Sequence, residues 1–182
     1  MTTETRLMTA EELQRLPEDH QRYELVGGVL TTMPPNSYAH GLVAANLCVE
    51  LGGYIETNKL GTTLATCGYI LRRDPDTVRA ADISFIRQDR WARLTDTTGY
   101  PSFAPDLAVD IIDPWDGYTD VMQRRADWLT AGTRLVLVID PSRRTVAVHR
   151  SANTMTMLTE DDQIDGADAV PGWTMSVRAL FE

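Results

Sequence analysis

The stretch Pro105-Asp106-Leu107-Ala108-Val109-Asp110-Ile111-Ile112 decides how this chain is interpreted, because it places a carboxylate inside an apolar strand. In a half-buried strand, alternate residues face opposite sides of the sheet. The two faces are therefore Leu107-Val109-Ile111 and Ala108-Asp110-Ile112. The pattern predicts a β-strand over residues 106–112, with Asp110 flanked by apolar neighbours on its own face.

A second strand, over residues 79–87, carries Asp82 in the same setting. Its expected faces are Ala81-Ile83-Phe85 and Asp82-Ser84-Ile86. A buried carboxylate is costly unless a cation or hydrogen bonds compensate it. A shared hard cation such as Mg²⁺, which prefers oxygen ligands, would explain two such acids. Each aspartate could equally face solvent, pair with an arginine or end its strand, and the spacing alone leaves these alternatives open.

Helical and strand patterns alternate on both sides of these two strands. Thr9 and Glu12 form a capping box for a short helix that Pro17 ends. Gly27-Gly28 predicts the turn of a hairpin over 22–33. Further helices are predicted from Ser37 to about residue 56 and over 120–131, and further strands over 62–71, 134–140 and 145–149, with edge β-structure over 155–158 and 173–181. This order predicts an α+β or α/β fold with one central sheet and at most three layers.

The length and the net charge of the chain limit the number of domains and the classes of protein that fit the sequence. At 182 residues, the whole chain (1–182) is expected to form a single domain with a core that needs no metal or disulfide. Its 26 acidic and 17 basic residues give a formal net charge of −9. Such a surface repels polyanions at long range, which argues against a protein that acts mainly by coating DNA nonspecifically. Any contact with nucleic acid would need a local basic patch. Lys59 is the only lysine among the basic residues.

The expected location follows from what the sequence lacks. Cys48 and Cys67 form neither a disulfide framework nor a zinc-ligand pattern. Residues 1–7 lack the apolar core of a signal peptide, and no apolar run is long enough to span a bilayer. We therefore expect a cytoplasmic protein that does not contact membranes.

Short motifs occur in a fixed order along nearly the whole chain. They are Thr9-Ala-Glu-Glu-Leu, Arg22-Tyr-Glu-Leu-Val-Gly-Gly-Val-Leu, Met33-Pro-Pro-Asn-Ser-Tyr-Ala-His40, Val78-Arg-Ala-Ala-Asp82-Ile, Pro105-Asp-Leu-Ala-Val-Asp110-Ile-Ile-Asp-Pro, Ala131-Gly132, Val138-Ile-Asp-Pro141 and Pro171-Gly172-Trp173. This ordered set resembles the Uma2 family (DUF820) of the PD-(D/E)XK nuclease superfamily. The resemblance implies a restriction-endonuclease-like fold, in which a central mixed β-sheet is flanked by helices.

The resemblance also implies roles for individual residues. Asp82 matches the family's first metal-binding aspartate, and Asp110 stands where these proteins usually carry glutamate. The lysine that usually follows two residues later is replaced by Ile112. In this family the lysine lies instead on the next helix, one turn before an aromatic residue, and the matching pair here is Arg124 and Trp128.

Three further residues stand at positions that the family pattern defines less tightly. Glu24 and His40 stand where the family usually has the same residue, and Glu24 is counted with the catalytic set. Glu24 could instead be a strand carboxylate paired with Arg22 or Arg79, and His40 is better explained as a hydrogen-bonded structural residue. Asp113 replaces the family's usual serine and could supply an extra ligand or cap a turn.

The function implied by the resemblance is metal-dependent cleavage of nucleic acid, with DNA as the expected partner. Asp82 and Asp110 would bind Mg²⁺ or Mn²⁺, and Arg124 would stabilise charge on the phosphate without serving as a base. One alternative is a degenerate nuclease fold that binds nucleic acid or a protein partner without cutting. Another is a structural protein that uses this sheet as a scaffold. Trp173, Met175 and Phe181 could close the core or form the edge of a homodimer.

Overall fold

A computed structural model describes residues 6–17, 21–95 and 97–182, and residues 1–5, which enter the signal-peptide prediction, lie outside these ranges. The helices are α1 (Ala10–Leu13), α2 (Tyr38–Thr57), α3 (Gln88–Trp91) and α4 (Tyr118–Thr130), followed by a 3₁₀ turn at Arg178–Leu180. The strands are β1 (Arg22–Val26), β2 (Val29–Met33), β3 (Gly61–Arg72), β4 (Thr77–Arg87), β5 (Leu107–Ile111), β6 (Leu135–Asp140), β7 (Thr145–Ser151), β8 (Thr154–Leu158), β9 (Gln163–Asp165) and β10 (Thr174–Ser176).

The predicted local signals are present at the expected places. Thr9 and Glu12 form a reciprocal capping box at α1, and the Ser37 side chain caps α2 by accepting from the His40 amide. Gly27 and Gly28 both have positive φ, 58° and 80°, in the turn between β1 and β2. Glycine adopts this left-handed conformation at no steric cost, which allows the tight hairpin.

Eight strands form one mixed sheet, which confirms the predicted α+β architecture with flanking helices. The strand order is β2-β1-β4-β5-β6-β7-β8, and β3 pairs along the other edge of β4. Among the described strands, only β5 and β6 run parallel, and α4 makes the crossover between them. Parallel neighbours need such a crossover, and this one brings α4 onto one face of the central strands.

Two apolar clusters lie on opposite faces of the sheet. Side chains of α2 pack against Ile83, Phe85 and Val109 on one face. On the other face, Val121 and Trp128 of α4 pack against the cluster that includes Ala108 and Val136. The layers are therefore α2, sheet and α4, in agreement with the predicted limit of three.

The C-terminal segment differs from the prediction of edge β-structure over 173–181. Only Thr174–Ser176 is a strand, and it pairs with β9 in a separate two-stranded sheet rather than with the main sheet. Trp173 and Met175 are buried in the α2-side core, and Phe181 packs against it. The segment therefore closes the core, since burying these side chains is worth more than one more ladder of backbone hydrogen bonds.

No helix within residues 6–17, 21–95 and 97–182 is both long and apolar enough to cross a membrane.

Candidate active site

The candidate site lies where two strands share one edge of β4. One edge of β4 is paired with β3 from Thr77 to Arg87. Both β1 and β5 must therefore pair with the other edge of β4. β1 pairs at Leu25 with Val78, and β5 pairs from Ile83 with Val109 to Phe85 with Leu107. Between these ladders, β4 exposes backbone groups that carboxylate side chains satisfy. Glu24 accepts from the Ala80 amide at 2.9 Å.

Asp82 occupies this gap and contacts three different elements. Its Oδ2 accepts from the Ile111 amide at 2.8 Å, in place of a strand–strand bond. The same oxygen lies 3.2 Å from His40 Nε2 on α2, and Oδ1 lies 3.3 Å from Arg22 Nη2 on β1. Burial raises the pKa of Asp82, but the hydrogen bond and charge of His40, the Ile111 amide and Arg22 outweigh it and hold that pKa below its ordinary value.

Asp110 has the opposite electrostatic balance. Continuing the β4–β5 register by one step places it opposite Asp82. The carboxylate is fully buried, Oδ2 accepts from Trp128 Nε1 at 3.1 Å, and Oδ1 has no hydrogen-bond partner among the described residues. Burial raises the pKa of Asp110 to about 7; the charge of Arg124 opposes this rise, and the charges of Asp82 and Glu24 add to it.

The predicted alternation of residues 79–87 is wrong at Asp82. Ala81 packs with Ile86 and Ala108 on the α4 side, whereas Ile83 packs on the α2 side. Opposite Asp82, Thr66 of β3 has a φ of 51°, unusual for a β-branched residue, and the pairing with β4 skips this position. The strand is therefore irregular here. The Asp82 carboxylate lies between the strand ends, in contact with Ile111, rather than on the Ser84-Ile86 face.

Arg124 is buried, at 8% relative exposure, on the face of α4 that also carries Trp128. The expected i, i+4 packing of this helix against the sheet is thus observed. Burial lowers the pKa of Arg124, but the neighbouring carboxylates of Asp110, Glu24 and Asp116 outweigh it and raise that pKa above its ordinary value. The guanidinium is therefore a permanent cation among carboxylates.

Glu24 forms the buried ion pair that the sequence left open. Its Oε2 lies 2.7 Å from Nη1 of Arg79, which in turn bonds Asp127 of α4 through Nε at 2.8 Å. This Glu24–Arg79–Asp127 chain joins β1, β4 and α4 beside the gap. The Asp127 carboxylate thus accepts from Arg79 and, through its other oxygen, from Gln123. Arg124 instead lies among the carboxylates that include Asp110 and Glu24.

Asp113 and Asp116 shape the loop that follows β5. Asp113 is buried and its Oδ1 accepts from the Ser37 amide at 3.0 Å, which ties this loop to the start of α2. The turn itself is capped by Asp116, whose Oδ2 accepts from the Asp113 amide at 2.8 Å. Both side chains line the same small cavity as Asp82.

Two of the cavities that open at this place adjoin each other and share Trp115, Asp116 and Arg124. The inner one has a volume of 20 Å³, room for about one water molecule or ion, and Arg22, His40, Asp82 and Arg124 are among its lining residues. The outer one has a volume of 490 Å³ and is lined in part by Glu24, Arg79 and Trp115. A larger groove of 820 Å³ runs along α2 and β3 and contains none of these carboxylates.

The site offers two carboxylates as ligands for a divalent cation. No three His, Cys, Asp or Glu side chains of the described residues converge as a complete metal cluster. Among the described residues, however, Asp110 Oδ1 is a buried acceptor without a donor. The ion-pair contact of Asp82 Oδ1 is the one to Arg22 Nη2, at 3.3 Å. Mg²⁺ is often held by one or two carboxylates, with waters and phosphate oxygens completing the shell.

Sequence reasoning missed the partners that hold the aspartates. It treated His40 as a structural residue without naming Asp82 as its partner, and it did not anticipate the Arg22 contact or the Trp128 hydrogen bond. The one available signal was Trp128, a large side chain with a polar N–H that needs a partner when buried.

The chain is similar in sequence and in fold to known proteins. A family model described as "Uma2: Putative restriction endonuclease" matches residues 10–178. A crystal structure of "a putative nuclease belonging to DUF820 from Anabaena variabilis ATCC 29413" superposes with a TM-score of 0.80 at 20% sequence identity, covering 96% of this chain and 97% of that one. At this identity the similarity shows the fold. No curated protein matches the sequence.

Proposed function

Because this chain belongs to the Uma2 family of restriction-endonuclease-like proteins, we propose that it is a metal-dependent nuclease that hydrolyses phosphodiester bonds in nucleic acid. DNA is the expected substrate, and Mg²⁺ or Mn²⁺ the expected ion. The observation that carries this proposal is the position of Asp110. It stands one ladder step beyond Val109, opposite Asp82, with Oδ1 buried and without a donor among the described residues.

Asp82 and Asp110 are the residues that would hold the ion. When bound, a divalent cation polarises the scissile phosphate and lowers the pKa of a coordinated water. Asp82 is ionised in advance, because His40 and Arg22 keep its pKa low. The pKa of Asp110 is raised to about 7, so this carboxylate is largely ionised only above that pH. A nearby cation would favour its ionised form.

Arg124 supplies fixed positive charge beside these carboxylates. A guanidinium donates hydrogen bonds in a planar fork that suits phosphate oxygens, and it stays protonated at any physiological pH. Arg124 can therefore stabilise the negative charge that develops on the phosphoryl group, and it cannot remove a proton from water. Its burial between α4 and the sheet holds the guanidinium in place before substrate arrives.

The remaining residues position this set. His40 and Ile111 hold the Asp82 carboxylate from two sides, so its rotation is restricted. The Glu24–Arg79–Asp127 chain fixes α4 against β4 and thereby the distance between Arg124 and the aspartates. Glu24 thus acts on the site through Arg79 and through its own charge.

A second candidate function is favoured by Arg124 itself. The family usually has a lysine at this position, and lysine can lose its proton in a buried site whereas arginine cannot. A protein that retains the fold and the phosphate-binding cation but not the chemistry would bind nucleic acid without cutting it.

A cleavage assay combined with metal titration separates the two. Purified protein is incubated with single-stranded and duplex DNA in Mg²⁺ or in Mn²⁺, and metal binding is measured by calorimetry. The proposed nuclease predicts metal binding and cleavage, both lost in Asp82→Asn and in Asp110→Asn. Cleavage that persists in both variants, or that needs no divalent ion, would refute it. Nucleic-acid binding without cleavage would establish the second function.

A further inference from the structure

The aromatic residues of this protein are distributed unevenly. Of the thirteen in the sequence, all lie in the described ranges, and three are largely exposed: Tyr38 at 87%, Trp115 at 51% and Tyr118 at 79%. The others are buried or half-buried. Large aromatic side chains left in water together on one side of a protein are typical of a binding surface.

One of these residues lines the candidate active site, and the other two directly follow residues that line it or bond to it. Trp115 lines both the inner and the outer cavity. Tyr118 begins α4 directly after Gly117, which lines the outer cavity. Tyr38 begins α2 directly after Ser37, whose amide is bound to Asp113 of the inner cavity. Two chain segments, the β5–α4 connection and the start of α2, therefore carry exposed rings next to residues of the site.

The charges at this opening are poorly suited to a duplex backbone. Arg22 contacts Asp82 and Asn36, and Arg79 is held between Glu24 and Asp127. Arg124 is surrounded by carboxylates, as described above. The cationic side chains that line the two cavities are thus already matched by acids, in a chain of net charge −9. Little counterion release is left to drive backbone binding.

Aromatic rings offer a source of affinity that does not depend on charge. A base that stacks on an aromatic side chain contributes roughly 5- to 150-fold in affinity. This contribution depends little on which base it is, because every base has an aromatic face. Only an unpaired base presents its face in this way, because the bases of a duplex are stacked on one another.

We propose that this site binds unpaired nucleotides, with bases stacked on Trp115, Tyr38 and Tyr118 and the backbone directed toward Asp82 and Asp110. The inference rests on the proposed function, because it names the form of nucleic acid that the same site accepts. Single-stranded DNA and RNA share the relevant chemistry, and the experiment distinguishes them.

The test measures binding in EDTA, so that cleavage does not interfere. Fluorescence anisotropy is recorded for the full chain with a labelled single-stranded DNA, the same strand with abasic sites, the matched duplex and the equivalent RNA. We expect the single strand to bind about tenfold or more tightly than the abasic strand and the duplex. Binding of either sugar type supports the proposal, and the ratio of the two identifies the natural source.

Substitutions then locate the stacking surface. Trp115→Ala and the double variant Tyr38→Ala/Tyr118→Ala should each lose about tenfold or more in single-strand affinity, while Trp115→Phe keeps most of it. Met155→Ala and Met157→Ala, which are similarly exposed at 54% and 53% on β8, are the matched controls and should bind like wild type. All five side chains are exposed, so the melting temperature should not change.

The outcomes also separate this inference from the proposed function. Equal affinity for abasic and intact strands, or unchanged binding in the aromatic variants, would overturn it even if the protein cleaves duplex DNA in Mg²⁺. Base-dependent binding through the three rings, in a protein that cleaves nothing, would support it and refute the hydrolytic function.

Discussion

The indole N–H of Trp128 donates to Oδ2 of Asp110 at 3.1 Å, and this is the hydrogen bond that connects α4 to the central carboxylate of the site. The same ring packs edge-on against Tyr69, with ring centroids 5.8 Å apart. Trp128 lies one helical turn after Arg124. One face of α4 therefore supplies both the cation and the donor that surround Asp110.

Trp128→Phe tests this connection. Phenylalanine keeps an aromatic ring against Tyr69 but leaves both Asp110 oxygens without a donor, and an unsatisfied buried acceptor costs about 1–3 kcal/mol. We expect a loss of stability in that range in urea unfolding, and lower nuclease activity if Asp110 holds the ion. Trp173→Phe is the matched control, since Trp173 is equally buried but lies in the α2-side core. Its activity should stay at the wild-type level.

Asp110→Asn and Asp82→Asn should change the stability of the metal-free protein in opposite directions. Asp110 is a destabilised carboxylate, because its pKa is raised by burial, so a neutral amide should stabilise the fold at pH 8 by on the order of 1 kcal/mol. Asp82 is held by Arg22, His40 and an amide, so its loss should cost about 1–3 kcal/mol.

Thermal melts in EDTA check both signs. A like-charge repulsion shared equally by the two acids would instead predict that either substitution stabilises the protein. Stabilisation by Asp82→Asn would therefore contradict the assignment of the electrostatic strain to Asp110 alone.

Much of this arrangement could be predicted from the sequence. The apolar alternation around Asp110 indicates its strand and its face correctly, since β5 is regular and fully buried. The four-residue spacing from Arg124 to Trp128 predicts the buried face of α4. Adjacency of the two aspartate strands could not be derived from spacing, because the pattern within one strand does not encode which strand it pairs with.

The rest depends on long-range pairing. The irregularity at Asp82 coincides with Thr66 of β3, and no periodicity within residues 79–87 encodes the conformation of a neighbouring strand. The choice of Arg79 over Arg22 as the partner of Glu24 likewise depends on where β1 stops pairing with β4. Such side-chain pairings are decided by tertiary structure rather than by local preference.

The burial of His149 predicts that the folding stability of the protein falls at acidic pH, independently of the active site. The ring is 3% exposed on β7, and neither nitrogen has a hydrogen-bond partner among the described residues. Burial and the nearby charge of Arg125 lower the pKa of His149 below its ordinary value of 6.5. The unfolded chain therefore binds this proton more readily, so the folded state loses stability as pH falls through 6.5.

We expect His149→Leu to lose less stability than wild type between pH 7.5 and pH 5.5, because leucine has no proton-binding group that burial disfavours. Urea unfolding at several pH values measures the difference, which cancels the contributions of the carboxylates common to both proteins. Parallel stability curves for the two proteins would show that His149 is not the responsible group.

Three substitutions test the role proposed for Arg124. Arg124→Lys keeps a cation on a long apolar stem but allows it to lose a proton, so any cleavage activity should increase. Arg124→Ala removes the charge that opposes phosphate repulsion and should lower activity by about 100-fold. The adjacent Arg125, half-buried on the same helix but outside the lining of both cavities, offers Arg125→Lys as a control without effect.

Cleavage rates at saturating Mg²⁺ and in Mn²⁺ distinguish the possible roles of Arg124. Equal rates in wild type, Arg124→Lys and Arg124→Ala would mean that this guanidinium only balances the buried carboxylates of Asp110 and Glu24. In that case Arg124→Ala should lose stability but not activity, because the uncompensated acids remain buried. A wild type that never cuts, beside an Arg124→Lys variant that does, would instead locate the loss of chemistry at this one side chain, since every other group of the site is unchanged between the two proteins.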